Sequence, residues 1–119
     1  MNDITQINAL DLGKMIKTRK VSLEEVVSKQ LEAIKSKEKD CNSYITIVEE
    51  EAYAQAKRVQ KRIDNGQLDF SPLAGVPVAI KDDICTKGIK TTAASRSLSN
   101  YVPAYNASVI EDFTNEPIK

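Results

Sequence analysis

Apolar residues recur every three or four positions through the first half of the chain, and this spacing predicts helices rather than strands. The first predicted helix is short. Asn8 is a typical N-cap residue, and Asp11 follows it three positions later. One face of this helix then carries Leu12, Met15 and Ile16. The pattern is that of an amphipathic helix with one buried side.

A second helix is predicted from Ser22 to about Lys37. It opens on the sequence SLEE, in which Ser22 and Glu25 have the spacing of a capping box. Its apolar stripe consists of Leu23, Val27, Leu31 and Ile34. The charged run KSKEKD at residues 35–40 alternates in sign, which favours a solvated helix end over an RNA-binding patch.

A third helix is predicted from Glu49 to about Asp64. Its first turn is acidic and its last turn is basic, as the helix dipole favours. Its apolar stripe consists of Ala52, Ala56, Val59 and Ile63. Asn65 and Gly66 follow, and the glycine suits a left-handed C-cap.

Two segments are predicted as β-strands. Residues 43–48 (SYITIV) are rich in β-branched side chains, and residues 73–80 (LAGVPVAI) have the composition of a strand buried on both faces. Pro77 weakens the second prediction because proline cannot donate to a ladder. The sequence therefore predicts an α/β fold, with a helical region at residues 1–68 and the incomplete beginning of an α/β core at residues 69–119.

The stretch between residues 82 and 106 shows no sustained period, and loops of this length are uncommon unless they serve a site. A fourth helix is predicted to start at residues 106–108, and Pro117 is expected to end it.

Composition excludes several classes of function. The chain has 17 basic and 17 acidic residues, so no net field attracts nucleic acid or an anionic membrane. Neither a signal peptide nor a membrane-spanning run is expected. The absence of histidine removes Ser-His-Asp and Cys-His arrangements and the usual zinc sites. Cys41 and Cys85 form no CxxC motif, and they are predicted to be free thiols in a reducing cytoplasm.

Lys81 is the candidate catalytic residue. It stands at the carboxyl end of the second predicted strand, which is the side of an α/β sheet where ligands bind. A desolvated lysine there can act as a base near neutral pH. The simpler interpretation is a surface lysine that pairs with Asp82 or Asp83. The letters VAIK also mark the ATP-pairing lysine of protein kinases, but no glycine-rich loop precedes them and HRD is impossible without histidine.

Three stretches of the second half resemble the amidase signature family: PLAGVPVAIKDDI, TKGIKTTAAS and YVPAYNASVI. The first half, with VSLEEVV and SYITI, is similar to the N-terminal region of the same family. The resemblance covers residues 5–110 and is most specific from Pro72 to Ser95. Within the family, the resemblance is nearest to the amidase subunits of aspartyl/glutamyl-tRNA amidotransferases.

The resemblance implies a mixed amidase sheet and a Ser–Ser–Lys triad. In that triad a nucleophilic serine attacks an amide carbonyl, a second serine relays the proton, and an unprotonated lysine, matched here by Lys81, accepts it. The resemblance also implies an enzyme subunit that releases ammonia from glutamine for transamidation of misacylated Glu-tRNA(Gln) or Asp-tRNA(Asn). Partner subunits would bind the tRNA and use ATP and Mg²⁺, so this chain is expected to hold no cofactor and no metal.

The sequence departs from the family at two points. No glycine-serine-rich segment with the two catalytic serines is present, and Ser95, Ser97 and Ser99 are predicted to be loop hydroxyls. The chain therefore resembles an N-terminal fragment that is inactive alone. Asp83 stands where the family usually has asparagine. Side-chain alternation places Asp83 on the same side as Lys81, where a carboxylate favours the charged ammonium form.

Three other functions stay open at this point. The sequence also fits part of another amidase-signature hydrolase, one that acts on small amides. It fits as well a non-catalytic module that docks on amidotransferase subunits, or a remnant with no function of its own.

Overall fold

The computed structural model describes residues 3–115, and for residues 113–115 it describes only the backbone. The chain divides into two compact units, Met1–Val78 and Ala79–Lys119. The described residues form four α-helices: α1 (Ala9–Lys17), α2 (Leu23–Cys41), α3 (Glu49–Asp64) and α4 (Ser108–Asn115). Two short 3-10 helices add Ile4–Gln6 and Arg96–Leu98. Within residues 3–115, none of the helices combines the length and the apolar content needed to span a membrane.

The predicted N-caps of the first two helices are confirmed. The side chain of Asn8 accepts a hydrogen bond from the backbone N–H of Asp11 at 2.9 Å, and that of Ser22 accepts one from Glu25 at 3.2 Å. The N-terminus of α2 has a further partner that the sequence pattern did not indicate. The backbone N–H of Leu23 donates to Oε1 of Gln60, a residue of α3, at 3.1 Å. This bond joins the two longest helices of the first unit.

The predicted helical stripes form the core of the first unit. The buried cluster consists of Ile4, Leu12, Ile16, Val21, Leu23, Val26, Ala56, Ile63 and Leu68. On α2 the structure differs from the prediction by one position, because Val26 is 1% exposed whereas Val27 is only partly buried. Leu23 and Val26 are three residues apart, a spacing that places both on one helical face as well as a spacing of four does.

The helix ends follow local sequence closely. Helix α2 continues through the charged run to Cys41, and Asn42 caps it in the left-handed conformation with a φ of 48°. Helix α3 has the predicted bounds, Glu49–Asp64, and Gly66 follows with a φ of 74°. Asparagine and glycine are the residues that adopt this conformation at least cost.

The two predicted strands are not found in the part of the chain that the structure describes. Residues 43–48 form an irregular link between α2 and α3 in which Ile45 is 62% exposed. Residues 76–80 are likewise irregular, and Val78 is 55% exposed. A β-branched composition favours an extended backbone, but a strand exists only when a neighbour pairs with its N–H and C=O groups. Residues 3–115 provide no such neighbour, so the predicted sheet is absent from them.

Glycines allow the end of the first unit to lie close to its first two helices. A Cβ atom on Gly75, which has a φ of 86°, would stand 2.5 Å from Cδ2 of Leu23. A Cβ atom on Gly13 in α1 would overlap the backbone carbonyl of Pro72. Nζ of Lys17 also donates to the backbone carbonyl of Asp69 at 3.0 Å. Residues 69–75 therefore cover α1 and complete the core.

Candidate functional site

Lys81 lies at the first position of a tight turn near the start of the second unit. The backbone N–H of Ile84 donates to the carbonyl of Lys81 at 3.1 Å, which is the hydrogen bond of a four-residue β-turn. Asp82 and Asp83 occupy the two central positions of this turn. Three consecutive charged residues are thereby presented from one small loop.

The side chains of Lys81 and Asp83 form an ion pair. Nζ of Lys81 lies 3.5 Å from Oδ2 of Asp83, and the two side chains are 79% and 49% exposed. The predicted placement of both residues on one side of the chain is confirmed. At this exposure water screens the attraction, and pairs of this kind contribute roughly 0–1 kcal/mol. The ion pair therefore orients the amine more than it stabilises the fold.

Asp82 points to a different part of the second unit. Its carboxylate accepts hydrogen bonds from the backbone N–H of Thr92 at 3.0 Å and from the hydroxyl of the same residue. Its backbone carbonyl accepts from the N–H of Ala93 at 3.0 Å. The hydroxyl bond from Thr92, then the backbone bond from the same residue, hold the pKa of Asp82 below its ordinary value of 3.8. Asp82 is thus bound to residues ten and eleven positions later in the chain.

The segment that receives Asp82 contains an unusual backbone. Ala93 and Ala94 are consecutive residues with φ angles of 49° and 57°, a region that costs an L-residue other than glycine about 1–2 kcal/mol. The hydroxyl of Thr92 accepts from the N–H of Ala94 at 3.2 Å, and its carbonyl accepts from Ser95 at 2.8 Å. Thr92 is 7% exposed. Thr92 therefore holds both Asp82 and the strained turn that follows.

The remainder of the long non-periodic stretch is ordered by bonds between distant residues. Three backbone N–H groups donate to remote carbonyls: Gly88 to Pro103, Thr91 to Tyr101, and Ala107 to Cys85, at 2.8–3.1 Å. The side chain of Asn106 accepts from the backbone N–H of Lys87 at 2.7 Å. Pro103 is among the fully buried side chains. The loop is thus a hydrogen-bonded structure, although almost none of it is helix or strand.

The three serines near this turn lie where loop hydroxyls are expected. Ser95 is half-buried and precedes the short 3-10 helix Arg96–Leu98, while Ser97 and Ser99 are exposed. Within residues 3–115, no hydrogen bond joins any of these three hydroxyls to Lys81. The catalytic role of Lys81 and the loop role of the serines both stay predictions, because no contact in the described residues tests either one.

A second polar contact of this unit was not indicated by the sequence. The thiol of Cys85 donates to the phenol oxygen of Tyr105 at 3.5 Å. The hydrogen bond and charge of Cys85, with a smaller effect of Tyr101, raise the pKa of Tyr105 to about 12. The two partners are 20 residues apart in an irregular segment, so no periodic pattern connects them.

The first unit contains a groove that does not involve the candidate lysine. This groove, about 680 Å³ in volume, lies along the start of α2 and the length of α3 and has Tyr53 and Ala56 in its wall. Arg19 at its edge pairs with Asp64 at 3.6 Å, and Arg58 pairs with Glu51 at 3.0 Å. Among the described residues, no group of histidine, cysteine, aspartate or glutamate side chains is placed to hold a metal ion.

The sequence matches the amidase family over residues 25–116. The A chain of the glutamyl-tRNA(Gln) amidotransferase from Lachnoclostridium phytofermentans is 51% identical over 109 residues, which are 92% of this chain and 22% of that protein. A protein of the same name from Agathobacter rectalis is 45% identical over 109 residues, with the same two shares. One from Dehalococcoides mccartyi is 39% identical over 116 residues, 98% of this chain and 24% of that protein.

No solved structure matches the chain. The chain spans between about a fifth and a quarter of the length of the curated relatives it matches. The matched region includes both the turn at residues 81–84 and the segment around Thr92.

Proposed function

The chain belongs to the amidase family, and we propose that it supplies the catalytic lysine of a glutaminase subunit. In the complete enzyme this subunit releases ammonia from glutamine, and the ammonia converts misacylated Glu-tRNA(Gln) or Asp-tRNA(Asn) to the correct amide. The observation that carries the proposal is that the family match over residues 25–116 includes Lys81. The names of the curated relatives support the choice of this amidotransferase.

The proposed chemistry needs more residues than this chain contains. The family resemblance assigns the reaction to two serines and a lysine, and we place both serines in the part of the relatives that the match does not reach. A serine oxygen attacks the carboxamide carbon, and its proton passes through the second serine to the neutral amine of Lys81. Ammonia then leaves, taking a proton back, and water hydrolyses the acyl-enzyme to glutamate.

The surroundings of Lys81 must change for this role. A general base has to be neutral, whereas Lys81 is 79% exposed here and faces Asp83. Burial by the remainder of the enzyme would disfavour the charged ammonium form. The same remainder would give residues 76–80 the neighbours that a strand needs, so that Lys81 follows a central strand of the completed α/β sheet.

The other reactants are assigned to partner subunits. We propose that those subunits bind the tRNA and use ATP and Mg²⁺ to activate its misacylated end. The balanced charge of this chain, 17 basic against 17 acidic residues, supports a limited role in tRNA binding. The proposed reaction belongs to the cytoplasm, where aminoacyl-tRNA is made and used.

The test uses a chimera in which this chain replaces the matching 109 residues of the Lachnoclostridium phytofermentans relative. Ammonia release from glutamine is measured for the parent chimera and for Lys81→Ala and Lys81→Arg. We expect both variants to lose about 100- to 10,000-fold in rate, the usual cost of removing a general base. Arginine fails because a guanidinium stays protonated at any working pH.

Lys90→Ala is the matched control, because Lys90 is an exposed lysine of the same unit. It should retain the parent rate. A parent chimera without ammonia release, or a Lys81→Ala variant that keeps the parent rate, contradicts the proposed function. Co-purification of the parent with partner subunits tests the assembly separately.

A further inference from the structure

Asp82 is bound at two points, although it lies between two exposed side chains. Its carboxylate accepts both the N–H and the hydroxyl of Thr92, and its backbone carbonyl accepts the N–H of Ala93. Lys81 and Asp83 on either side are exposed and pair with each other. The centre of the turn is therefore fixed to the 91–95 segment.

The anchor at the other end is rigid for a stated reason. Thr91 and Thr92 are 6% and 7% exposed, the only buried polar side chains among the described residues. Ala93 and Ala94 then hold two consecutive positive φ angles. Such a backbone persists only where surrounding bonds over-determine it, and strain of this kind is concentrated at functional sites. Here the bonds that determine it are the ones that also hold Asp82.

We propose that Asp82 and Thr92 are positioning residues for Lys81: together they fix the turn from which the amine reaches the reacting proton. This inference rests on the proposed function, since it takes Lys81 as the general base. Neither residue contacts the reacting atoms in this role. Asp82 acts through the backbone of the turn, and Thr92 acts through Asp82 and the 93–95 backbone.

The energetic argument concerns the length of the lysine side chain. The amine stands at the end of a chain of methylene groups, so a small rotation of the turn displaces it by an ångström or more. Reacting groups need a separation of about 3–3.5 Å, and a misplacement of about 1 Å can cost roughly 100-fold in rate. A fixed turn removes that displacement without any contact between Asp82 and the substrate.

The test uses the chimera with Thr92→Val, which keeps the shape and the backbone N–H but removes the hydroxyl. We expect kcat for ammonia release to fall about 10- to 100-fold, with KM for glutamine changed less than the rate. Thr92→Ser restores the hydroxyl and should recover most of the parent kcat. The acidic limb of the pH–rate profile should also move to lower pH in Thr92→Val, because a loosened turn releases the amine from Asp83.

A structural defect alone lowers the amount of active enzyme and leaves the shape of the pH–rate profile unchanged. If Thr92→Val lowers kcat with an unmoved profile, or keeps the parent kcat, the positioning role is wrong. If Thr92→Val does not fold, as judged by circular dichroism, Asp82→Asn decides. That variant keeps one acceptor oxygen, and a parent-like kcat and profile from it would overturn the proposal.

The same set separates this inference from the proposed function. Loss of activity in Lys81→Ala with parent-like Thr92→Val and Asp82→Asn removes the positioning role and leaves Lys81 as the base. Parent-like activity in Lys81→Ala contradicts the proposed function itself.

Discussion

The amine of Lys81 and the carboxylate of Asp83 lie 3.5 Å apart, and the carboxylate of Asp82 between them in sequence binds Thr92 instead. Two carboxylates that are adjacent in sequence therefore do different things. One neutralises the candidate base, and the other fixes the backbone beneath it. This division follows from the alternation of side chains through residues 81–83.

The first prediction concerns Asp83→Asn in the chimera. The change removes the charge that favours the ammonium form of Lys81, so the rate of ammonia release at neutral pH should rise. An exposed ion pair contributes at most about 1 kcal/mol, so the rise should not exceed about five-fold. The measurement is the pH–rate profile. Asp40→Asn removes the same charge from the exposed end of α2 and should change nothing; an unchanged rate for Asp83→Asn means that the ion pair does not control the amine.

The second prediction concerns the titration of Asp82. Its folded-state pKa is held below 3.8 by the hydroxyl and the N–H of Thr92, so its contribution to stability is present above that value. This contribution is lost as the pH falls through the lowered folded-state pKa. A carboxyl carbon NMR titration should give a midpoint below 3.8 for the wild-type chain, and a midpoint closer to 3.8 for Thr92→Val. A wild-type midpoint at or above 3.8 would show that the bond to Thr92 does not form.

The third prediction concerns Gly75→Ala. The new Cβ would stand 2.5 Å from Leu23 Cδ2 at a φ of 86°, so both overpacking and backbone strain apply. Together these should destabilise the first unit by about 2 to 5 kcal/mol. Thermal unfolding followed by circular dichroism measures the loss.

Gly66→Ala is the matched control, because Gly66 has a similar φ of 74° but its nearest atom would be at an ordinary 3.5 Å. It should cost only the strain, about 1–2 kcal/mol. Equal losses for the two variants mean that the approach of residue 75 to Leu23 is not tight.

The fourth prediction concerns association of the chain. Val78 and Ile80 are 55% and 41% exposed in a segment whose backbone has no strand partner among the described residues. Such a segment favours pairing with other chains. We expect helical circular dichroism with weak cooperativity, and oligomers in sedimentation velocity. The double variant Val78→Lys, Ile80→Lys should shift the distribution towards monomer.

Leu10→Lys is the control for that experiment, since Leu10 is 56% exposed on α1. It should leave the oligomers in place. A monomeric wild-type chain with a sharp two-state melt contradicts the prediction, as does an equal effect of the control.

The fifth prediction concerns the 119-residue chain without an added segment. It should release no ammonia from glutamine or asparagine above a blank, because its sequence has no glycine-serine run to supply the nucleophile. The assay is continuous ammonia detection at high protein concentration. Glutaminase activity of the purified chain that Lys81→Ala abolishes would falsify it.

The helices were predictable because their signals are local. The N-cap residues Asn8 and Ser22 and the bounds of α3 follow from contacts within four positions. The choice of Val26 over Val27 as the more buried residue was missed, because both fit a helical stripe and the facing helix decides between them. The strands failed for the opposite reason, since a strand depends on a partner that local sequence does not contain.

The candidate site divides in the same way. The facing of Lys81 and Asp83 follows from alternation over three residues and was predicted. The bond from Thr92 to Asp82 spans ten positions of a segment without a period, so no sequence pattern indicated it. The Thr-Thr pair was visible as part of the family resemblance, but the sequence assigned no contact to it.

The position of Gly75 also has a consequence for the order of events during synthesis. Ile16 and Leu23 are fully buried, and a Cβ on Gly75 would stand within 3.4 Å of both side chains. These two residues leave the ribosome first, yet their last neighbour is made more than fifty residues later. At about 5–20 residues per second, α1 and α2 wait roughly 3 to 12 seconds with apolar faces uncovered. Early chaperone binding to the nascent chain should therefore concentrate on residues 9–31 and end once residue 75 is available.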